Sequence, residues 1–222
     1  MNGDFLMALN MFKFFCRHVT LTWLIRMILN MTCMVLCYLT NWFAVLFADK
    51  YGNLPTIFKL WQTYDNCLDI DWMISEGHVP KLFRYDFNKH YKYHLEYKED
   101  DIVIPGYVDI INDNFTIWEL IQRYVCRCAW LYRNCSYGFA YYIFGRKVKP
   151  QEYICELQER DFSMGYVPGT DIFSIKVDRK WYSNLFKKEF EFTCYIGYKC
   201  AGIQRDTNPR VCMIANRIWP FK

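Results

Sequence analysis

The sequence predicts an α+β protein in which an N-terminal transmembrane helix precedes a small domain with one or two helices and a C-terminal antiparallel sheet. Three observations support this class. Residues 27–48 carry no charge, Thr116 to Glu119 form a helix-starting motif, and apolar residues alternate with period two between Glu189 and Lys199. The expected strands are 152–158, 171–178, 189–199 and 210–218.

Composition excludes several classes of protein. Hydrophobic residues make up 53% and aromatic residues 20% of the 222 residues, which is incompatible with a disordered or collagen-like chain. The 27 basic and 23 acidic side chains give a net charge of +4, too small to indicate nucleic-acid binding. The charge is uneven, with net −5 over residues 49–115 and net +7 over residues 116–222. These two stretches could pair with each other, or the basic one could face an anionic lipid surface.

The charge-free segment 27–48 is the predicted membrane span. As a helix it would be roughly 33 Å long, which matches the hydrocarbon core of a bilayer. A buried core helix is the alternative, although such helices seldom lack a charged face over this length. The basic leader 1–26 could form an amphipathic helix in the interface or a short non-spanning hairpin partner. Residues 49–222 are expected to form a single α+β domain.

The cysteines favour a reducing environment. Eleven are present, an odd number, and no two have the C-x-x-C spacing of a zinc ribbon. We therefore expect free, mostly buried thiols.

The clearest helix signal begins at Thr116. Thr116 and Glu119 form a capping box, in which each side chain accepts a hydrogen bond from the backbone N–H of the other. The residues that recur with helical spacing predict a buried stripe, and they are Ile117, Leu120, Ile121, Tyr124, Cys128 and Leu131. Arg123 and Arg127 share another face, which could be solvated, could meet phosphate groups, or could pair with nearby carboxylates.

A group of acids precedes this helix. Asp65, Asp69 and Asp71 lie within seven residues, and carboxylates so close together could bind Mg²⁺ or Ca²⁺ or act as general acid and base. The alternative is that they cap turns and pair with arginines. The spacing does not fit a calcium-binding EF-hand loop.

His90 and His94 have the i, i+4 spacing of paired zinc ligands on a helix, but no third ligand is evident and no Glu follows His90. The sequence therefore predicts two solvated histidines here.

Two segments resemble the signature segments of an uncharacterised family of small, membrane-associated proteins of tailed bacteriophages and prophages. They are LWQTYDNCLDID, from Leu60 to Asp71, and WLYRNCSYGF, from Trp130 to Phe139. The matching residues in the first segment are Trp61, Thr63, Asp65, Asn66, Leu68, Asp69 and Asp71. Those of the second are Arg127, which precedes the segment by three residues, and Trp130, Leu131, Arg133, Asn134, Tyr137, Gly138 and Phe139. Cys135 and Ile70 depart from the family pattern. The resemblance implies phage origin and membrane association, and it brings no established activity.

We therefore expect a single-pass protein of the host inner membrane that has no enzymatic activity and binds the bilayer and a host or phage protein. Nucleic acid is not an expected partner. The alternative is a membrane-bound hydrolase or transferase in which Asp65, Asp69 and Asp71 hold a divalent metal, the one cofactor considered, while Arg127 and Arg133 bind a phosphate-bearing substrate. A third hypothesis is that the protein is a component of the virion.

Overall fold

The computed structural model describes residues 3–63, 66–70, 79–99, 102–159, 161–183, 188–200, 210–212 and 217–219. The helices of this part are α1 (Gly3–His18), α2 (Leu21–Val45), α3 (Phe87–His90), α4 (Ile117–Arg133) and a short π-helix (Phe139–Ile143). The strands are β1 (Tyr91–His94), β2 (Tyr97–Glu99), β3 (Ile102–Ile104), β4 (Tyr107–Ile110), β5 (Ile154–Glu159), β6 (Phe162–Tyr166), β7 (Phe173–Ser183), β8 (Lys188–Lys199), β9 (Arg210–Cys212) and β10 (Arg217–Trp219). The predicted α+β class, with an N-terminal apolar helix and an antiparallel sheet near the C-terminus, is confirmed.

The chain divides into two compact units. The sheet unit contains Met1–Met31 and Phe144–Lys222, and the central unit contains Thr32–Ile143. The sequence analysis placed the domain boundary at residue 49, after the apolar helix. In the structure the boundary falls inside α2, because the first part of this helix packs in the sheet unit and the rest packs in the central unit.

The helix α2 begins earlier than the charge-free run suggested. It starts at Leu21 instead of residue 27 because the Thr20 hydroxyl accepts a hydrogen bond from the backbone N–H of Trp23, which caps the helix there. Arg26 is therefore inside the helix and not ahead of it. The leader forms the separate helix α1, which ends at His18.

The sheet unit holds one antiparallel sheet with the strand order β10-β8-β7-β6-β5, and β9 pairs with β8. Its longest pairing joins β7 to β8, from Ser174 opposite Gly197 to Ser183 opposite Lys188. The period-two pattern predicted β8 correctly. Strand β6 was not predicted, because its sequence FSMGY contains a glycine and lacks strict alternation.

Helix α2 is fixed to this sheet by an aromatic contact and by charge. The rings of Trp23 and Phe173 lie 5.1 Å apart, and both side chains are buried. One nitrogen of Arg26 donates to the Asp171 carboxylate at 2.7 Å and to the Tyr198 hydroxyl at 2.6 Å. The arginine near the start of an apolar helix is thus satisfied by protein groups.

The central unit contains two short antiparallel pairs, β1 with β4 and β2 with β3. The apolar run 102–111 forms β3 and β4 on either side of Pro105 and Gly106. Behind them lies a core that includes Leu68, Val108 and Leu131.

The capping box of α4 is confirmed, but its buried stripe was predicted wrongly in part. Ile117, Leu120 and Ile121 are 81%, 48% and 43% exposed. The buried residues of this helix are Gln122, Cys126, Arg127, Trp130 and Leu131. Of the predicted stripe, Leu131 is therefore correct, and Tyr124 and Cys128 are partly buried against the core. Helical periodicity predicts the buried face on the assumption that apolar side chains face the core. The prediction fails where a helix turns polar side chains toward the core.

The histidine prediction was also wrong. The chain leaves α3 at His90 and continues as strand β1, so His90 and His94 do not share a helical face. His90 is fully buried, with Nδ1 3.0 Å from the Asn112 carbonyl and Nε2 3.2 Å from Glu119. The partly exposed His94 pairs with Asp109 at 2.8 Å.

The Glu119 carboxylate gives the first testable prediction. The Lys89 ammonium at 2.7 Å and the N–H and hydroxyl of Thr116 lower the pKa of Glu119 well below its ordinary value of 4.5. A lowered folded-state pKa stabilises the protein above the unfolded-state pKa, and this stabilisation disappears as the pH falls. The melting temperature of Glu119→Gln should therefore lie below that of the wild type at neutral pH, with the gap narrowing below about pH 4.5.

Circular dichroism of both proteins in detergent micelles over this pH range measures the effect. Glu99→Gln, a change at an exposed strand residue, serves as the matched control. A gap that stays constant with pH would contradict the role given to the Glu119 charge.

Candidate functional site

The two sequence motifs meet at a buried ion pair between Asp69 and Arg127. Arg127 lies in the second half of α4, and its Nε and one terminal nitrogen donate to the two oxygens of Asp69 at 2.8 and 2.5 Å. Asp69 is 2% exposed and Arg127 is 5% exposed. This is the two-pronged geometry in which guanidinium and carboxylate groups bind most strongly.

A third segment joins the pair through its backbone. The same terminal nitrogen of Arg127 donates to the carbonyl of Asp49 at 2.9 Å. Asp49 begins a turn in which its own carboxylate accepts hydrogen bonds from the N–H groups of Tyr51 and Asn53. Gly52 completes this turn with φ +76°, and a side chain there would approach Asp69 to 2.9 Å. Arg127 thus connects α4, the segment around Asp69 and the turn that follows α2.

A second arginine lies beside the pair. The Nε of Arg123 is 4.0 Å from Asp69, and its guanidinium lies over the ring of Phe115 at 4.8 Å. Burial alone would disfavour the charged form of Arg127, but the adjacent Asp69 carboxylate holds the pKa of Arg127 above its ordinary value. The Arg127 guanidinium therefore stays charged at physiological pH.

The buried Asp69 charge keeps its neighbours neutral. Burial, together with the Asp69 carboxylate, raises the pKa of Cys67 to about 12 and that of Cys126 to about 12. The same two causes raise the pKa of Tyr85 and of Tyr91. A thiol of this kind is a poor nucleophile at neutral pH, because the reactive species is the thiolate.

The motifs touch again at Gly138. Its Cα lies so close to the backbone of Leu60 that a side chain would come within 2.5 Å of the Leu60 carbonyl oxygen. That oxygen accepts a hydrogen bond from the N–H of Phe139 at 3.2 Å. The rings of Trp61 and Phe139 lie 5.2 Å apart, and the Trp61 indole donates to the Thr40 hydroxyl at 2.8 Å. A glycine is required here because two backbones approach each other directly.

The polar residues of the first motif hold a turn. The Thr63 hydroxyl and the Gln62 amide both donate to the carbonyl of Asn66, at 3.1 and 2.9 Å. The Asn66 side-chain oxygen accepts from the Tyr93 hydroxyl, and the backbone of Asn66 bridges to Gly106. These bonds hold the turn around Asn66 in place.

The second motif ends the helix α4. Asn134 is its C-terminal cap, and the N–H and side-chain amide of Asn134 both donate to the carbonyl of Trp130, at 3.0 and 3.1 Å. The guanidinium of Arg133 lies 5.9 Å from the buried Trp130 ring. The N–H of Tyr137 donates to the Asn134 carbonyl at 3.4 Å.

Of the three acids in the first motif, only Asp69 lies among the described residues. Asp65 and Asp71 lie outside the described residues, and Asp69 gives both of its oxygens to Arg127. Within the described ranges, no three His, Cys, Asp or Glu side chains are close enough to hold a metal ion. A metal at Asp69 would have to displace a guanidinium from a buried site.

Some members of this arrangement escaped the sequence analysis. The Asp49 carbonyl, Gly52 and Tyr93 all contact the motif residues, yet none of them belongs to either motif. Tyr51-Gly52-Asn53 is a turn signal that could have located Gly52. A backbone carbonyl that accepts from a distant arginine leaves no signal in a sequence.

Removal of the Asp69 charge should destabilise the protein strongly. Asp69→Asn leaves Arg127 buried without a counter-charge, so we expect the free energy of unfolding to fall by about 3–5 kcal/mol. Denaturant titration of the purified protein in micelles measures this change. The control Asp109→Asn removes an exposed carboxylate paired with His94 and should cost at most about 1 kcal/mol.

A double variant separates the two causes of the loss. Asp69→Leu combined with Arg127→Met removes both charges, so it should be more stable than Asp69→Asn alone. A double variant as unstable as Asp69→Asn would contradict the view that an unpaired charge causes the loss.

The close contact at Gly138 gives a steric prediction. Gly138→Ala should lower the free energy of unfolding by about 1–3 kcal/mol, because the new methyl group meets the Leu60 backbone. Gly169→Ala is the comparison, since no atom lies within 4 Å of that position and only its φ of +71° is unfavourable. A Gly138→Ala protein as stable as the wild type would contradict the steric cause.

Comparison with known proteins identifies a family to which the chain is similar. No curated protein matches the chain significantly, and no solved structure does. The match is to a group described as Family of unknown function (DUF7338), and it covers residues 16–222. This range contains α2, both motifs and the sheet. The chain belongs to this family of unknown function.

Proposed function

We propose that this chain is a membrane-anchored protein that binds another protein at the membrane and catalyses no reaction. The observation that carries the proposal is the exposed surface of α2, which is almost entirely apolar, while Asn30 and Asn41 of the same helix are buried.

The length and composition of α2 suit a bilayer. Its 25 residues extend over about 37 Å, more than the hydrocarbon thickness of about 30 Å. Core helices of soluble proteins can also be long and apolar, but they are mostly buried. Only 17% of the most apolar stretch of α2 is buried within the protein.

The two faces of α2 differ in polarity. Buried positions include Asn30 and Asn41, and Asn41 donates to the Cys135 sulfur at 3.8 Å. Apart from Thr22 and Thr32, the exposed residues of α2 are apolar or aromatic, and they are Leu21, Ile25, Ile28, Leu29, Met31, Val35, Leu36, Tyr38, Leu39, Trp42 and Phe43. Water would penalise this arrangement and hydrocarbon favours it, which supports a lipid environment.

The Asp69–Arg127 cluster supports a structural role over a catalytic one. An acid or base in catalysis must reach a substrate, and a metal ligand needs a free oxygen. Asp69 is sequestered and paired, so it provides no support for the metal-dependent hydrolase or transferase. A membrane-associated reaction that Asp65→Asn abolishes, while the folded protein remains at the membrane, would overturn the non-enzymatic part of the proposal.

The finer location rests on the resemblance of the two motifs to phage and prophage proteins. On that basis we propose a single-pass protein of the host inner membrane, with a host or phage protein as its partner. The free thiols among the described residues fit a reducing compartment.

Membrane fractionation tests the anchor. We expect the full chain to remain in bacterial membranes after carbonate extraction. Leu36→Arg combined with Leu39→Arg should release a substantial fraction, because each charge in the middle of a membrane helix costs about 3 kcal/mol. The control Ile57→Arg places the same charge at a 74% exposed position outside α2 and should leave the protein in the membrane. Wild-type protein in the soluble fraction would overturn the proposal.

A further inference from the structure

The helix α4 has the same inverted polarity as α2. Its inward side carries Gln122, Arg123 and Arg127, each with protein partners. The exposed residues between its first residue and Tyr132 are all apolar or aromatic, and they are Ile117, Trp118, Leu120, Ile121 and Tyr132. We call this set the outward face of α4.

The polar side chains Gln122 and Arg127 on the inward side have hydrogen-bond partners within the protein. The Gln122 amide donates to the carbonyls of Leu82 and Arg84, both at 2.9 Å, and Arg127 is bound by Asp69. Since a helix has 3.6 residues per turn, the rotation that brings Arg123, Arg127 and Trp130 inward necessarily turns Ile117, Ile121 and Tyr132 outward. The exposure of the apolar face is therefore fixed by the ion pair.

Within the central unit, the outward face of α4 adjoins the exposed face of α2. The Tyr124 hydroxyl donates to the backbone carbonyl of Trp42 at 2.7 Å. The rings of Tyr38 and Tyr132, both exposed, stack with their centroids 6.0 Å apart. The sulfur of Cys135, just beyond α4, donates to the carbonyl of Met34 at 3.3 Å. These contacts make one continuous apolar surface from the two helices.

We propose that the outward face of α4 contacts the lipid of the same bilayer that holds α2, so that the membrane contact of this protein is a two-helix surface. The inference rests on the proposed membrane anchor. Lipid is the occupant that this surface fits best, because its aliphatic side chains require no hydrogen-bond partner. Trp118 and Tyr132, which each carry one polar group, are of the residue types enriched at membrane–water interfaces. Because the outward face of α4 is continuous with the apolar face of α2, both faces would contact the same lipid.

Photocrosslinking to lipid tests this contact. The full chain is reconstituted in vesicles of phosphatidylethanolamine and phosphatidylglycerol that contain a radiolabelled phosphatidylethanolamine. A photoactivatable phenylalanine analogue replaces Ile121 on α4, Leu39 on α2, or Leu95 between β1 and β2. All three positions are exposed, so the analogue is expected to leave folding intact.

Leu95 is a stringent control. It is 74% exposed, compared with 43% for Ile121, so a reaction that depended on exposure alone would label position 95 more strongly. We expect lipid labelling at position 121 to approach that at position 39 and to exceed that at position 95 by about tenfold, because only the first two positions lie in hydrocarbon.

The possible results separate the inference from the anchor. Labelling at position 39 without labelling at position 121 would overturn the inference and leave the anchor intact. Protein that fails to float with the vesicles and labels at neither position would overturn both. Crosslinks from position 121 to a second copy of the chain, in place of lipid, would overturn the inference and identify this face as a protein interface.

Discussion

The ion pair between Arg127 and Asp69 is the interaction on which the central unit depends. It requires α4 to turn an arginine into the core, where a lone charge would be very costly. The carboxylate makes that burial possible, and the Asp49 carbonyl takes up a further N–H of the same guanidinium. Three segments far apart in the chain are thereby held at one point. Pairing at such a site fixes the arrangement of the segments more than it adds to net stability.

The same pair explains why the surface of α4 is apolar. A soluble protein would place Ile117 and Ile121 in its core and leave Arg123 and Arg127 in water. Here the arginines face the interior, and the aliphatic side chains on the opposite side of the helix lie on the surface. The arrangement is unfavourable in water and favourable against hydrocarbon. The sheet unit uses related chemistry at Arg26, whose charge is neutralised by Asp171 instead of being solvated.

Local signals in the sequence predicted local structure well. The Thr116–Glu119 capping box and the alternation along β8 depend on neighbouring residues, and both appear in the structure as expected. The motif analysis singled out Asp69 and Arg127 but left their partners open, because nothing in a single sequence states which of several acids meets which arginine. The two wrong predictions about polar side chains share one cause. The stripe on α4 and the solvated His90 both assumed that polar side chains face water, and the structure satisfies them inside the protein.

The weakly acidic thiols of the central unit have a practical consequence. With a pKa of about 12, Cys67 and Cys126 exist as thiolates to only about one part in 10⁵ at neutral pH, and both are buried. Alkylating reagents can therefore reach them only when the core around Asp69 opens. Their modification rate therefore reports how often this core opens, and no engineered cysteine is needed to measure it.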